Sequence, residues 1–236
     1  MWGTVLKRDL LGEVREEDKF HTKEQLKEYL ESEIEKQGDD VVIRNLDVSP
    51  IEDLSELFYG CENIRTLDLS GWKTSGVKNM SSMFSWCMNL KSIDLSGWDT
   101  SNVRSMAFMF FTCEQLKSID LSGWDTSNVE SMIQMFSWCQ ALKSLDISRW
   151  DTSNVKYMTE MFSFCINLKS LDLSGWDTSN VNSMGNMFCS CEKLKSLDLS
   201  GWDISNVKYT CDMFSGCIAP YEIIDNKIVK KIKKII

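Results

Sequence analysis

The chain has 236 residues, of which 43% are hydrophobic and 26% charged, the balance of a folded protein with room for one large domain or two small ones. No apolar run approaches ~18 residues, which excludes a membrane-spanning helix. A single histidine rules out a mechanism resting on several histidines or a histidine-rich metal site, and a net charge of −9 argues against a whole-protein electrostatic grip on nucleic acid.

Residues 1–40 read as an N-terminal segment ending in a capping helix. Residues 1–20 contain a short apolar piece, Val5-Leu6, and two further leucines, Leu10 and Leu11, and they predict no element. Thr22-Lys-Glu-Gln25 is a capping-box pattern. Leu26, Tyr29, Leu30 and Ile34 then share one helical face, and Gly38 supplies a stop. His21 beside this helix reads as a surface residue. Met1 to Arg8 lacks a basic start followed by an apolar stretch, so no export signal is expected.

From residue 41 to 222 the chain repeats. Tryptophans fall at Trp72, Trp98, Trp124, Trp150, Trp176 and Trp202, each step being 26 residues, and Cys61, Cys87, Cys113, Cys139, Cys165, Cys191 and Cys217 keep the same step. Units start at residues 67, 93, 119, 145, 171 and 197, with a degenerate one at Val41 that lacks the tryptophan. Within a unit, Leu90-x-x-Ile93-x-Leu95 alternates like a short strand. Gly97-Trp98-Asp99-Thr100-Ser101-Asn102 supplies turn and cap residues. Val103, Met106, Met109, Phe110 and Cys113 then recur every three or four residues, as on one face of a helix or 3₁₀ turn, which predicts a short helical segment. Such a unit buries its apolar face only by stacking on its neighbours.

These motifs, Leu-x-x-Ile-x-Leu at 90–95, Gly97 to Val103 and Met109-Phe110-x-x-Cys113, resemble the leucine-rich repeats, and within them the BspA-type bacterial proteins with 26-residue repeats. The resemblance implies an α/β solenoid: a right-handed stack of about seven units with a parallel β-sheet on one face and a cap at each end. It implies a binding scaffold, with no catalytic residues to carry over. It also brings a cell-surface location as the alternative to the cytoplasmic one that the missing export signal suggests.

The C-terminal residues 223–236 read as a basic cap carrying five lysines. Ile223-Ile224 and Ile228-Val229 predict a hairpin turning at Asp225-Asn226. The competing pattern puts Ile228, Ile232 and Ile235 along a basic helix, or makes the lysines a tail for a membrane surface or an acidic partner. Residues 1–66 carry a balance of −8 and residues 223–236 a balance of +4, which suits a monomer or a weak head-to-tail association.

Several columns bear on function. Seven cysteines in one column predict buried free thiols, since zinc needs paired ligands and the sole close pair is Cys189-x-Cys191. Six stacked tryptophans suggest a sugar platform, but their corner position predicts core packing. No cofactor is called for. The outward strand residues give an aspartate column, Asp68, Asp94, Asp120, Asp146, Asp172 and Asp198, flanked by a basic column from Arg65 to Lys195. Their two readings are a charge-compensated solvated ladder and an acidic surface for a basic partner. A second column, Asp99 to Asp203, reads as local turn bonding. Positions that vary between units carry aromatics: Trp86, Phe108, Phe111, Trp138, Tyr157, Phe164 and Tyr209, with Trp86, Trp138 and Phe164 in one column. With Asp94, Asp120, Asp146 and Asp172 they are the candidate partner-binding residues.

The expectation is a non-enzymatic scaffold for another protein with a basic surface, in one version an intracellular inhibitor that competes with nucleic acid for a basic groove. No direct nucleic-acid binding is expected. A surface adhesin is the alternative. Catalysis has no Ser/His/Asp arrangement, phosphate loop or paired metal ligands to rest on.

Overall fold

The computed structural model describes residues 19–199, 201–218, 221–224 and 227–230. The segment 1–18, the Asp225-Asn226 turn and Ile232, Ile235 and the last three lysines lie outside them. Helix α1 spans Lys23–Gln37. The Thr22 side chain accepts from the Gln25 N–H, and Gly38, at φ 72°, returns its N–H to the Ile34 carbonyl. The reciprocal bond of the capping box goes one residue further out, from the His21 N–H to Gln25. Leu26 and Leu30 are fully buried over the first unit, with Tyr29 and Ile34 packed at the margin. The helix therefore packs its apolar face on the first unit.

The parallel strands are three residues long: β1 Asp40–Val42, β2 Thr66–Asp68, β3 Ser92–Asp94, β4 Ser170–Asp172 and β5 Ser196–Asp198. They form two sheets, β1-β2-β3 and β4-β5, each pairing in exact 26-residue register (Leu67 opposite Ile93, Leu171 opposite Leu197). The single sheet expected along the whole stack is thus interrupted: the units at 119 and 145 form no strand. The corner changes at the same place. Gly71 and Gly97 turn at φ 72° and 82°, whereas Gly123 and Gly175 stay outside the left-handed region and Arg149 occupies the intervening glycine position. Beyond the repeat, β6 Tyr221–Ile224 pairs antiparallel with β7 Lys227–Lys230, which puts Ile228 in a strand and not on a helix.

The second half of each unit corrects a further expectation. No helix forms there, and α1 is the only one among the described residues. Instead the N–H groups of Met80, Ser82, Phe84 and Trp86 donate to the carbonyls of Ser105, Ala107, Met109 and Phe111 in the next unit at 2.8–2.9 Å. The amides between them close turns, as from Met83 to Met80 and from Ser85 to Ser82. The same four bonds recur at every junction, starting from Leu54, Met80, Met106, Met132, Met158 and Met184. The reason is spacing. Units stacked at the ~4.8 Å of a parallel sheet leave no room for side-by-side helices about 10 Å wide. Backbones held that close satisfy each other.

The core lies between these two ladders. Phe58, Phe84, Phe110, Phe136, Phe162, Phe188 and Phe214 stack at centroid spacings of 5.4–5.8 Å. In the 26-residue column the tryptophans from Trp72 to Trp176 are buried as expected, and Trp202 in the last unit is half-buried. Their indole N–H groups donate to a carbonyl of the preceding unit, as Trp72 to Ile43 at 2.6 Å and Trp176 to Ile147 at 3.1 Å. Trp124 makes neither such a bond nor a ring stack among the described residues, and it sits where the sheet is interrupted. The turn edge is therefore the continuously bonded side of the stack, and the strand edge the looser one.

Candidate functional site: an aromatic edge on left-handed turns

Side chains cross between units as regularly as the backbone does. Thr74, Thr100, Thr126, Thr152 and Thr178 donate their hydroxyls to the aspartate carbonyl of the next unit at 2.8–2.9 Å. Asn102, Asn128, Asn154, Asn180 and Asn206 donate to a serine carbonyl of the unit before at 2.7–2.9 Å. All nine cysteines are free, and five of them, Cys87 to Cys191 at each unit step, donate Sγ–H to a phenylalanine carbonyl of the preceding unit at 3.1–3.2 Å. Burial pushes these five thiols well above their ordinary range. Cysteine, threonine and asparagine are thus committed to stacking.

The aspartate column is committed as well, though not to the lysines. Asp94, Asp120, Asp146 and Asp172 are exposed. Each carboxylate accepts from the N–H of the serine two residues on, at 2.9–3.3 Å, and all but Asp94 also take its hydroxyl. Hydroxyl and amide together hold Asp120 and Asp172 below the usual carboxylate range. Asp68, which adds an ion pair with Arg44, is held at about 2. Among the described residues no ion pair joins Asp94 to Asp172 to the lysine column. Local serine bonds steady this ladder. The second column behaves as expected, Asp99 taking both bonds from Ser101.

The aromatic candidates separate into two groups. Trp86, Phe108 and Phe111 meet edge to face, with centroids 5.8 Å apart for Trp86–Phe111 and 5.9 Å for Phe108–Phe111. Trp138 stacks on Phe164 at 4.0 Å. Trp86 and Trp138 remain 39% and 37% exposed, although tryptophan is the residue that gains most from burial. Tyr157 and Tyr209, 43% and 64% exposed, stand in the column of isolated bridges at Ser131, Tyr157, Ser183 and Tyr209 and make no ring contact with the others.

Backbone conformation marks the first group. The turn ladder needs a left-handed residue at two positions per unit. One column is Glu56, Ser82, Phe108, Gln134, Glu160, Asn186 and Asp212, at φ 51–60°. The other is Gly60, Trp86, Thr112, Trp138, Phe164, Ser190 and Gly216, at φ 57–70°. Glycine fills the terminal units, where it meets this requirement without cost. Trp86, Trp138 and Phe164 hold the same conformation at a cost of roughly 1–2 kcal/mol each. Sequence reasoning found these residues by their variability. It missed their strain, because no internal signal other than Gly60 and Gly216 in the same column points to φ above zero. Next to Trp138, Ser137 carries the sole buried side-chain polar atom among the described residues with no hydrogen-bond partner.

A family model described as "Mycoplasma protein of unknown function, DUF285" matches residues 25–144 and again 111–227. The chain belongs to the DUF285 family. This agrees with the BspA-type, leucine-rich-repeat-like bacterial protein that the repeat motif resembles. No curated protein matches the DUF285 chain. Among solved structures it is similar to a leucine-rich-repeat protein of T. pallidum, at 21% identity over 76% of this chain and 77% of that one, with a TM-score of 0.48. A TLR13–ssRNA13 complex is similar at 21% identity over 83% of this chain and 25% of that one, with a TM-score of 0.42. A leucine-rich-repeat protein of Leptospira interrogans follows at 16% identity over 68% and 55%, with a TM-score of 0.26. The architecture of the DUF285 chain rests on its own hydrogen-bond columns and not on these likenesses.

Proposed function

We propose that this DUF285 protein is a non-enzymatic scaffold that binds another protein along its turn edge, with Trp86, Phe108, Phe111, Trp138 and Phe164 as the contact residues. One observation carries the reading. Three bulky aromatics occupy a left-handed column that glycine fills at both ends, and two of them, the tryptophans, stay more than a third exposed. Folding gains only partial burial and ring contacts against the backbone strain, and an interface gains large, rigid contact area.

The finer version, an inhibitor that sets an acidic face against the basic groove of a nucleic-acid-handling protein, draws support from the net charge of −9. We also propose a cytoplasmic location, on the odd count of nine cysteines, which pairing within the chain would not use up. The test of the scaffold is a pull-down from the source cells with the wild-type chain and with a Trp86→Gly/Trp138→Gly variant of unchanged melting temperature. A protein retained by the first and lost by the second is the expected outcome. Identical capture by both removes the aromatic edge as the binding surface.

A further inference from the structure

The turn edge has a charge pattern of its own. Four positions per unit build it: the two left-handed columns, the residue before the second (Tyr59, Ser85, Phe111 and onward) and the residue two after it (Glu62, Met88, Glu114 and onward). Across all seven units these positions hold Glu56, Glu62, Glu114, Glu160, Glu192 and Asp212, and not one lysine or arginine, in a chain that has 26 of them. The cations line other columns, at Lys91 and its equivalents and at Lys78, Arg104, Lys156 and Lys208. Aromatic rings set in columns that carry carboxylates and no lysine or arginine are complementary to a guanidinium or ammonium group, which is attracted both to a ring face and to a carboxylate.

From this we infer that the aromatic edge takes an extended segment of a protein partner that carries arginine or lysine at alternating positions. The inference rests on the edge being the binding surface and adds the chemistry of what lies on it. The span fits an extended chain. Trp86 to Phe164 is three unit steps, roughly 14 Å at parallel-sheet spacing, which about four or five extended residues cover. The competing acidic surface is less suited, because all four of its carboxylates accept a backbone serine N–H that holds the corner. On the turn edge Glu160 also accepts, but from the Gln134 side chain at 2.6 Å and not from the backbone.

Fluorescence anisotropy tests this with the full chain and three labelled peptides, (Arg-Ser-Leu-Ser)3 and its counterparts with Gln or Glu in place of Arg. The arginine peptide is expected to bind at least about tenfold tighter than the glutamine peptide, and the glutamate peptide weakest. A Glu114→Gln/Glu160→Gln variant is expected to bring arginine binding to the glutamine level. A Trp138→Gly/Phe164→Gly variant with an unchanged circular-dichroism melt is expected to abolish the preference. Equal binding of the arginine and glutamine peptides overturns the inference while leaving a neutral aromatic interface standing. Arginine binding untouched in the aromatic variant places the cation elsewhere and overturns it too. So does an absence of peptide binding, whether or not self-association of the chain, lost in the aromatic variant, shows the occupant to be a second copy.

Discussion

At the scale of single residues, identical amino acids carry opposite duties in this chain. Trp150 is 2% exposed and donates to the Leu121 carbonyl, so Trp150→Ala is expected to lose roughly 3–5 kcal/mol in urea unfolding. Trp86→Gly removes a half-exposed ring but relieves a left-handed residue, so its loss is expected to stay under about 1 kcal/mol. A Trp86→Gly loss as large as that of Trp150→Ala would make both of them core. Ser137 offers the converse case. Its buried hydroxyl has no partner, and Ser137→Ala is expected to raise stability by about 1 kcal/mol in the same assay. The burial of tryptophan and cysteine was legible from their step of 26 residues. The commitment of each aspartate to a serine was not, because Ser-x-Asp-x-Ser suits a solvated ladder as well as a local turn.

Among the elements, the two edges of the stack differ in how they are held. The turn edge carries four backbone bonds at every junction, and the strand edge loses its ladder around Trp124. Hydrogen exchange is therefore expected to be fast at the amides of Leu121 and Gly123, and slow at Phe110 and Phe136, which bond to Met135 and Met161. Equal protection on both edges would contradict the interruption of the sheet. The apolar pattern of Val103, Met106, Met109 and Phe110 was read as helical because its spacing is that of one helix face. The spacing is real and the element is not a helix, since a neighbour at strand distance takes every second amide. By contrast α1, which has a neighbour on one side only, follows its sequence signals from Thr22 to Gly38.

For the whole molecule the stack sets both shape and pH range. The repeat region is expected to run roughly 30–35 Å along its axis, with scattering that departs from that of a sphere. Stability should be bounded on both sides. Asp68 is held at about 2 and Asp120, Asp125, Asp172 and Asp177 are lowered, so the stability they confer is present above the ordinary carboxylate value near 4 and lost as pH falls toward about 2. The five core thiols are raised, so their contribution is full below the free-thiol value of about 8.5 and is lost as pH rises beyond it. Melting temperatures measured from pH 2 to 11 are expected to form a plateau between these limits, with a thiol-reactive probe labelling exposed Cys211 first and the core cysteines only on unfolding. A flat profile above pH 9 would mean the thiols are not sealed.

The amino-acid sequence by itself determined the repeat, its register, the buried columns and the helical cap, because each of these follows from periodicity and local chemistry within a few residues. Tertiary structure alone decided that the second half of a unit is a turn ladder, that the sheet opens midway, and that Trp86, Trp138 and Phe164 stand in left-handed backbone. The reason is physical. Those features depend on the distance to the neighbouring unit and on which amides it claims, and that distance exists only once the units are stacked.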